Sequence, residues 1–246
     1  HEPGITLTSE ILSICPKSLS HVFYSESGTT AVEAAIRMAI ESNHHLGQVK
    51  RNKIASLKYS YHGDTLGSVS VGHMETFHAA LGKFPFPTLR VKPPHVYNFY
   101  EGLSPSRALA KALEDLHSFF ENEGKYLICF IVEPMVQGAA GMWIQPPQYL
   151  AELADLCKRF DVVLIVDEVA TGFGKTGKMF AFEHAEITPD ILVLGKGLSG
   201  GYLPIAATVA TDKIFNAFSG SQTDLKTFSF GTTYCGNPLT CSAAIA

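Results

Sequence analysis

Charge is scarce in this sequence. Of 246 residues only 17% are Asp, Glu, Lys or Arg, and the 19 basic residues are outnumbered by 23 acidic ones, for a formal net charge of −4. The one basic cluster is Lys50-Arg51-Asn52-Lys53. The chain therefore lacks the basic face that a phosphate backbone demands, and no nucleic-acid partner is expected. Long apolar runs are missing as well: Leu127–Val132 and Val162–Val166 fall far short of the ~20 residues that span a bilayer, so no membrane partner is expected either. The five cysteines, Cys15, Cys129, Cys157, Cys235 and Cys241, are odd in number and form no CxxC pair. That argues against a disulfide framework and for a reduced, cytoplasmic protein. His73 and His78 lie close in sequence but outside any HExxH context, so no metal site is expected. An initiator Met and an apolar signal core are absent, and the chain ends within a helix-like run, Thr240–Ala246. It reads as a fragment whose natural termini, and any leader peptide, lie outside it.

What is present is apolar residue, 46% of the chain, enough for the core of one large domain covering residues 1–246. Leu7, Ile11, Ile14 and Cys15 mark one helix, closed by Pro16, and His21–Tyr24 reads as a strand. Val32, Ala35, Ile36, Ala39 and Ile40 mark an amphipathic helix, with Thr30 and Glu33 as its capping box. Lys53–Lys58 reads as a further strand, followed from about 61 to 106 by a loop-rich stretch with Pro85, Pro87, Pro93 and Pro94. A helix over about 108–121, the strand Tyr126–Val132, and a helix begun by Pro146-Pro147 with Leu150, Leu153, Leu156, Cys157 and Phe160 on one side come next. Val162–Val166, Ile191–Leu194 and Ile205–Val209 complete the strands. Short, fully apolar strands alternating with amphipathic helices predict an α/β fold: a mostly parallel sheet with helices on both faces.

In such sheets, sites gather at the carboxyl ends of strands. Asp167 follows one buried strand and Lys196 the next, one crossover later, so both can face one crevice. A lysine ending a hydrophobic strand is partly desolvated, which lowers its pKa and suits it to imine formation, although many lysines simply reach past such a position to solvent. The run Val162–Glu168 and the later Gly174-Lys175-Thr176 imitate a nucleotide site. A P-loop, however, needs glycine where Val169 stands, and the order of the two motifs is reversed.

A carboxylate placed like Asp167 has another use, which is to keep the ring nitrogen of pyridoxal phosphate protonated. At about 4 Å and an effective dielectric of about 20 the attraction is about 4 kcal/mol, or roughly three pKa units. Gly28 and Thr29, opening a helix, offer N–H groups and a hydroxyl to a phosphate. Tyr61, in Tyr61-His62-Gly63-Asp64, offers a ring to stack on a planar cofactor, although a half-buried tyrosine is more often only packing.

Five stretches resemble the class III aminotransferases of fold type I: Ser27-Gly28-Thr29-Thr30-Ala31-Val32-Glu33, Tyr61-His62-Gly63-Asp64-Thr65, Glu133-Pro134-Met135-Val136-Gln137-Gly138, Asp167-Glu168-Val169-Ala170-Thr171-Gly172-Phe173-Gly174 and Gly195-Lys196-Gly197. The likeness runs through almost the whole chain. Further stretches, Gly200–Thr208, Phe180–Ala185 and Gly236-Asn237-Pro238-Leu239, resemble the branch of that family that acts in biotin synthesis. The resemblance implies the large, pyridoxal-phosphate-binding domain of such an enzyme. Lys196 would hold the cofactor and shuttle a proton, Asp167 would pair with the ring nitrogen, and Tyr61 would act beside both and border the substrate. Gly28 and Thr29 would bind the phosphate, with His62 and Glu133 close to the cofactor. Gly231, Thr232 and Thr233 match a segment that in the family crosses a dimer interface to the neighbouring subunit's phosphate and substrate, implying a homodimer with a shared active site. The substrates would be a small-molecule amino donor, adenosylmethionine or lysine, and the keto acceptor 7-keto-8-aminopelargonate. An ω-amino-acid transaminase of the ornithine, β-alanine or 4-aminobutyrate type is the alternative. Phe230 and Thr232 depart from the residues usual in that cross-subunit segment, and the family's small domain has no counterpart in the chain.

Overall fold

The computed structural model describes residues 1–72 and 74–246, and Gln222 by its backbone alone; the expectation attached to His73 lies outside the described residues. In chain order the elements are α1 (Glu2–Ile14), β1 (Leu19–Ser25), α2 (Gly28–His45), β2 (Lys53–Leu57), α3 (Leu66–Gly72), α4 (Glu75–His78), β3 (Leu89–Val91), α5 (Val96–Phe99), α6 (Pro105–Glu123) and β4 (Leu127–Val132). The small ribbon β5 (Val136–Gln137) and β6 (Trp143–Ile144) follows, then α7 (Pro147–Arg159), β7 (Val163–Asp167), β8 (Ile191–Leu194), β9 (Ala206–Thr211), α8 (Asp212–Asn216) and α9 (Pro238–Ile245).

Seven strands form one sheet in the order β1-β9-β8-β7-β4-β2-β3. The pairs along β8-β7-β4-β2-β3 are all parallel, whereas β9 runs antiparallel to both of its neighbours. The expected mostly parallel sheet is therefore present, with one reversed strand. The link from β8 to β9, residues 195–205, holds only the single helical turn Lys196–Ser199 and no crossover helix, and a parallel return needs one.

The strands are apolar on both faces because both faces are covered. Phe130, Leu164 and Leu192 point to one side, where Leu116 and Phe120 of α6 and Leu153 and Leu156 of α7 meet them. Ile131, Ile165 and Val193 point to the other, against Val32, Ala35 and Ala39 of α2. The period-2 alternation divides β7 and β8 between the two cores, Leu164, Val166, Leu192 and Leu194 on one side and Val163, Ile165, Ile191 and Val193 on the other.

Two local readings are corrected. The cap of α2 is Ser27, whose hydroxyl accepts from the Thr30 amide while the Thr30 side chain accepts from the Ser27 amide. The expected pair, Thr30 and Glu33, does not form, because Glu33 accepts instead from the Gly67 amide at 2.9 Å. The stretch from 61 to 106 is also more ordered than its prolines suggest, holding α3, α4, β3 and α5. Its anchor is a contact remote in sequence: the Arg90 guanidinium donates to the carbonyls of Ser70 and Val71 and to Ser56 Oγ. It thereby satisfies the carbonyl end of a helix too short and too small-residued to show a periodicity. Burial pulls the Arg90 pKa down to about 10.

Glu168, next to Asp167, is fully buried and organises the loop after β7. Its carboxylate accepts from Thr171 Oγ1 at 2.5 Å and from the Phe182 amide at 2.9 Å. Burial nevertheless dominates and pushes its pKa up to about 7 from 4.5. Because the folded-state value is the higher one, the unfolded chain loses its proton first as pH rises. Stability from this group is full below about pH 4.5 and declines until about pH 7, by up to about 3 kcal/mol. Glu168→Gln keeps both partners, its carbonyl accepting from Phe182 and its amide donating to Thr171. Urea unfolding at pH 5 and pH 8 should show the wild type losing more stability than the variant between those values. Equal losses would contradict the assignment.

Candidate active site at the carboxyl edge of the sheet

β7, β8 and β4 end at the same edge and deliver Asp167, Lys196 and Glu133 to it. Tyr61 and His62 arrive on the loop after β2, and Gly28 and Thr29 on the first turn of α2. All seven line one cavity of about 510 Å³, a size suited to a small molecule. The expectation that Asp167 and Lys196 share a crevice is thus met, by register: β7 and β8 are adjacent and parallel, with Asp167 opposite Val193.

Asp167 is 5% exposed. Its Oδ1 accepts from the Val169 amide at 3.0 Å, and its Oδ2 lies 2.7 Å from His62 Nδ1. A carboxylate only accepts, so Nδ1 carries the proton of that bond. Nε2 of His62 is buried and has no hydrogen-bond partner among the described residues. His62 therefore stands behind Asp167, fixing the carboxylate's direction.

Glu133 is equally buried and accepts from the Tyr61 amide at 2.9 Å and from the Gly138 amide at 3.0 Å. Burial pushes its pKa up to about 7, against the lowering effects of nearby His62 and the two amides, while Asp167 adds to the rise. Its two bonds tie the Tyr61 loop to the loop after β4.

Tyr61 donates its hydroxyl to Asp64 Oδ2 at 2.7 Å. Burial first, and then this bond and the Asp64 charge, push its pKa up to about 12. Asp64 also lies 3.1 Å from Nε2 of His78, and the Met74 amide donates to the Nδ1 of that ring. The proton of His78 therefore sits on Nε2, facing Asp64. The Tyr61 hydroxyl and His78 together hold the Asp64 carboxyl below its usual range.

At the start of α2 the capping bonds use the amides of Thr30 and Ala31. Those of Gly28 and Thr29 have no intrahelical partner, which makes the helix end an anion site in waiting. The Thr29 hydroxyl, expected to be free, is shared with Thr65 Oγ1 at 3.0 Å and Ser68 Oγ at 2.8 Å. Its backbone is what the cavity is offered.

One expectation is corrected. Lys196 is exposed in this chain rather than partly desolvated, because the turn Lys196–Ser199 carries it beyond the strand end. Gly231, Thr232 and Thr233, expected to serve a neighbouring subunit, do not line this chain's own cavity. Their loop folds onto Glu26, which accepts from Thr232 Oγ1 and from the Tyr234 amide. Asp64, Val169 and Met142 line the cavity without having been singled out. For Asp64 a signal existed, a carboxylate three residues after the candidate tyrosine; Met142 had none, since only the β5–β6 ribbon brings it near. Among the described residues no group of three or more His, Cys, Asp or Glu could hold a metal ion, and no helix is long and apolar enough to cross a membrane.

The sequence and the fold have counterparts among known proteins. The family model described as aminotransferase class-III matches residues 1–246. The chain is 44% identical over 246 residues to the adenosylmethionine-8-amino-7-oxononanoate aminotransferase of Nitratidesulfovibrio vulgaris, covering 99% of this chain and 45% of that one. The crystal structure of the enzyme of that name from Methanocaldococcus jannaschii superposes with a TM-score of 0.90 at 43% identity, covering 99% of this chain and 53% of that one. A PLP-bound amine transaminase from an uncultivated Pseudomonas species superposes with a TM-score of 0.93 at 31% identity, covering 100% and 56%. The chain spans about half the length of these relatives. The family match runs along the full sequence: the chain belongs to the class III aminotransferase family.

Proposed function

We propose that this chain is the cofactor-binding large domain of a pyridoxal-phosphate-dependent aminotransferase that passes an amino group from adenosylmethionine, or lysine, to 7-keto-8-aminopelargonate. The observation that carries the reading is the convergence of Lys196 and Asp167 on one cavity. The donor set fits the cofactor: an amine for its aldehyde, a carboxylate for its ring nitrogen, a ring for its face, and two helix-end amides for its phosphate. The substrate choice rests on likeness, since relatives named for that reaction are more similar to this chain (44% and 43%) than the amine transaminase (31%).

When bound, pyridoxal phosphate supplies a carbonyl carbon that takes up nitrogen and a ring that withdraws electrons. The residues supply the rest. Asp167, directed by His62, holds a proton on the ring nitrogen by its charge, an electrostatic effect strengthened by the loss of water around it. Gly28 and Thr29 take the phosphate on their amides, where the dipole of α2 contributes about 0.3–1 kcal/mol. Lys196 anchors the cofactor through its amine. With its amine released, Lys196 would accept a proton at Nζ as general base and return it as general acid. Its exposure on a turn gives it the reach to do both. Tyr61 borders the substrate, with its own proton committed to Asp64.

Residues 231–233 lie away from this chain's own cavity, and we assign Thr232 and Thr233 to the cofactor and Gly231 to the substrate in a second copy, giving a homodimer with shared sites. The five cysteines are all free, which fits a reducing, cytoplasmic setting.

Two measurements on the full-length protein test this reading. Borohydride added to the pyridoxal-phosphate-loaded protein should fix the cofactor's mass on the Lys196 peptide, and label on another lysine instead would refute the site. In single-turnover spectra, adenosylmethionine or lysine should discharge the cofactor's absorption band roughly tenfold or more faster than ornithine, β-alanine or 4-aminobutyrate. The reverse order would move the protein to the ω-amino-acid branch.

A further inference from the structure

The glycine-rich stretch 172–177, which imitates part of a nucleotide site in the sequence, lies beside the turn that presents Lys196. Lys196 has φ +37°, a left-handed backbone that a residue with a Cβ rarely adopts and keeps only where its surroundings over-determine it. Both flanking residues are glycines, and each faces a close neighbour. A Cβ on Gly195 would lie 3.3 Å from Val169 Cγ1 and 3.5 Å from the Gly28 Cα. A Cβ on Gly197 would lie 2.9 Å from Phe173 Cδ2 and 3.0 Å from Phe173 Cβ. The lysine turn is thus held from two sides, by Val169 and by the Phe173 ring.

Phe173 is itself firmly held. It has φ +59°, its ring meets Phe180 edge-on at 5.9 Å between centroids, and it packs on the larger core. The residues before it are tied to Glu168, through Thr171 Oγ1 at 2.5 Å and the Gly172 amide at 2.9 Å to the Glu168 carbonyl. The loop after it closes on itself, the Gly174 amide donating to the Met179 carbonyl at 3.2 Å. On the cavity side, Val169 is held through its amide by Asp167. One short segment, 167–173, therefore carries the ring-nitrogen carboxylate at one end and the support of the lysine turn at the other.

We propose that Phe173 is a positioning residue for Lys196: its ring, pressed on Gly197, holds the turn in the backbone state that aims the amine into the cavity. The proposal rests on Lys196 being the amine that takes the cofactor. Without the ring the turn is free to relax toward ordinary backbone angles and swing the amine away, and displacements of about 1 Å at a reacting group can cost ~10²-fold in rate.

The test uses full-length apoprotein with pyridoxal phosphate as the probe, following borohydride-trapped label on the Lys196 peptide with time across a pH series. Attachment joins the Nζ nitrogen to the aldehyde carbon with loss of one water, and borohydride then adds hydride to that carbon while solvent supplies the proton. If the wild type takes no label at Lys196, the functional reading itself fails, whatever Phe173 does. Given wild-type label, Phe173→Ala should slow labelling roughly tenfold or more and change its pH profile, with far-ultraviolet circular dichroism unchanged. Phe173→Tyr, which keeps the ring, should restore both. Labelling of folded Phe173→Ala at the wild-type rate would overturn the proposal. Should Phe173→Ala fail to fold, the contact is probed from the other side. Gly197→Ala, whose methyl would meet Phe173 Cδ2 and Cβ, should slow labelling and change its pH profile with circular dichroism unchanged. Wild-type labelling in folded Gly197→Ala would overturn it too.

Discussion

The site depends on one hydrogen bond, the 2.7 Å contact between His62 and Asp167. The imidazole sets the direction of the carboxylate from one side and the Val169 amide from the other, where Asp167 lines the cavity. Around it the sheet makes the remaining arrangements almost incidental. Parallel strands all end at one edge, so the residues after β4, β7 and β8 must be neighbours however far apart they stand in the chain.

That geometry explains why so much was legible without coordinates. Val162–Val166, found as β7 (Val163–Asp167), and Ile191–Leu194 are short, apolar runs that read as strands in a covered sheet, and a carboxylate and a lysine at their ends inherit the edge. Lys196, Asp167, Tyr61, His62, Glu133, Gly28 and Thr29 all reach the cavity for that reason. Ile191–Leu194 also matches its strand residue for residue, because Asp190 and Gly195 bound it on either side.

What was not legible depended on contacts between distant residues. No periodicity announces α3, which is held by Arg90 from a different strand. The reversal of β9 follows from the length of a link, not from the strand's own residues, which look like any other buried strand. The cap of α2 went to the serine outside the helix because Glu33, the right type at the right spacing, had been claimed by Gly67. The exposure of Lys196 was hidden by treating it as the end of β8, whereas a left-handed residue between two glycines starts a turn. Residues 231–233 carry the family's pattern yet pack on Glu26 of their own chain, and no pattern within one chain says whose cavity they serve.

The central claim, that Asp167 governs the electronic state of a ring bound beside Lys196, is tested most directly by ¹⁵N magnetic resonance of ring-labelled pyridoxal phosphate bound to the full-length protein. The account predicts a protonated ring nitrogen at neutral pH in the wild type and loss of that protonation in Asp167→Asn. A nitrogen that is unprotonated in the wild type, or that stays protonated in the variant, would contradict it.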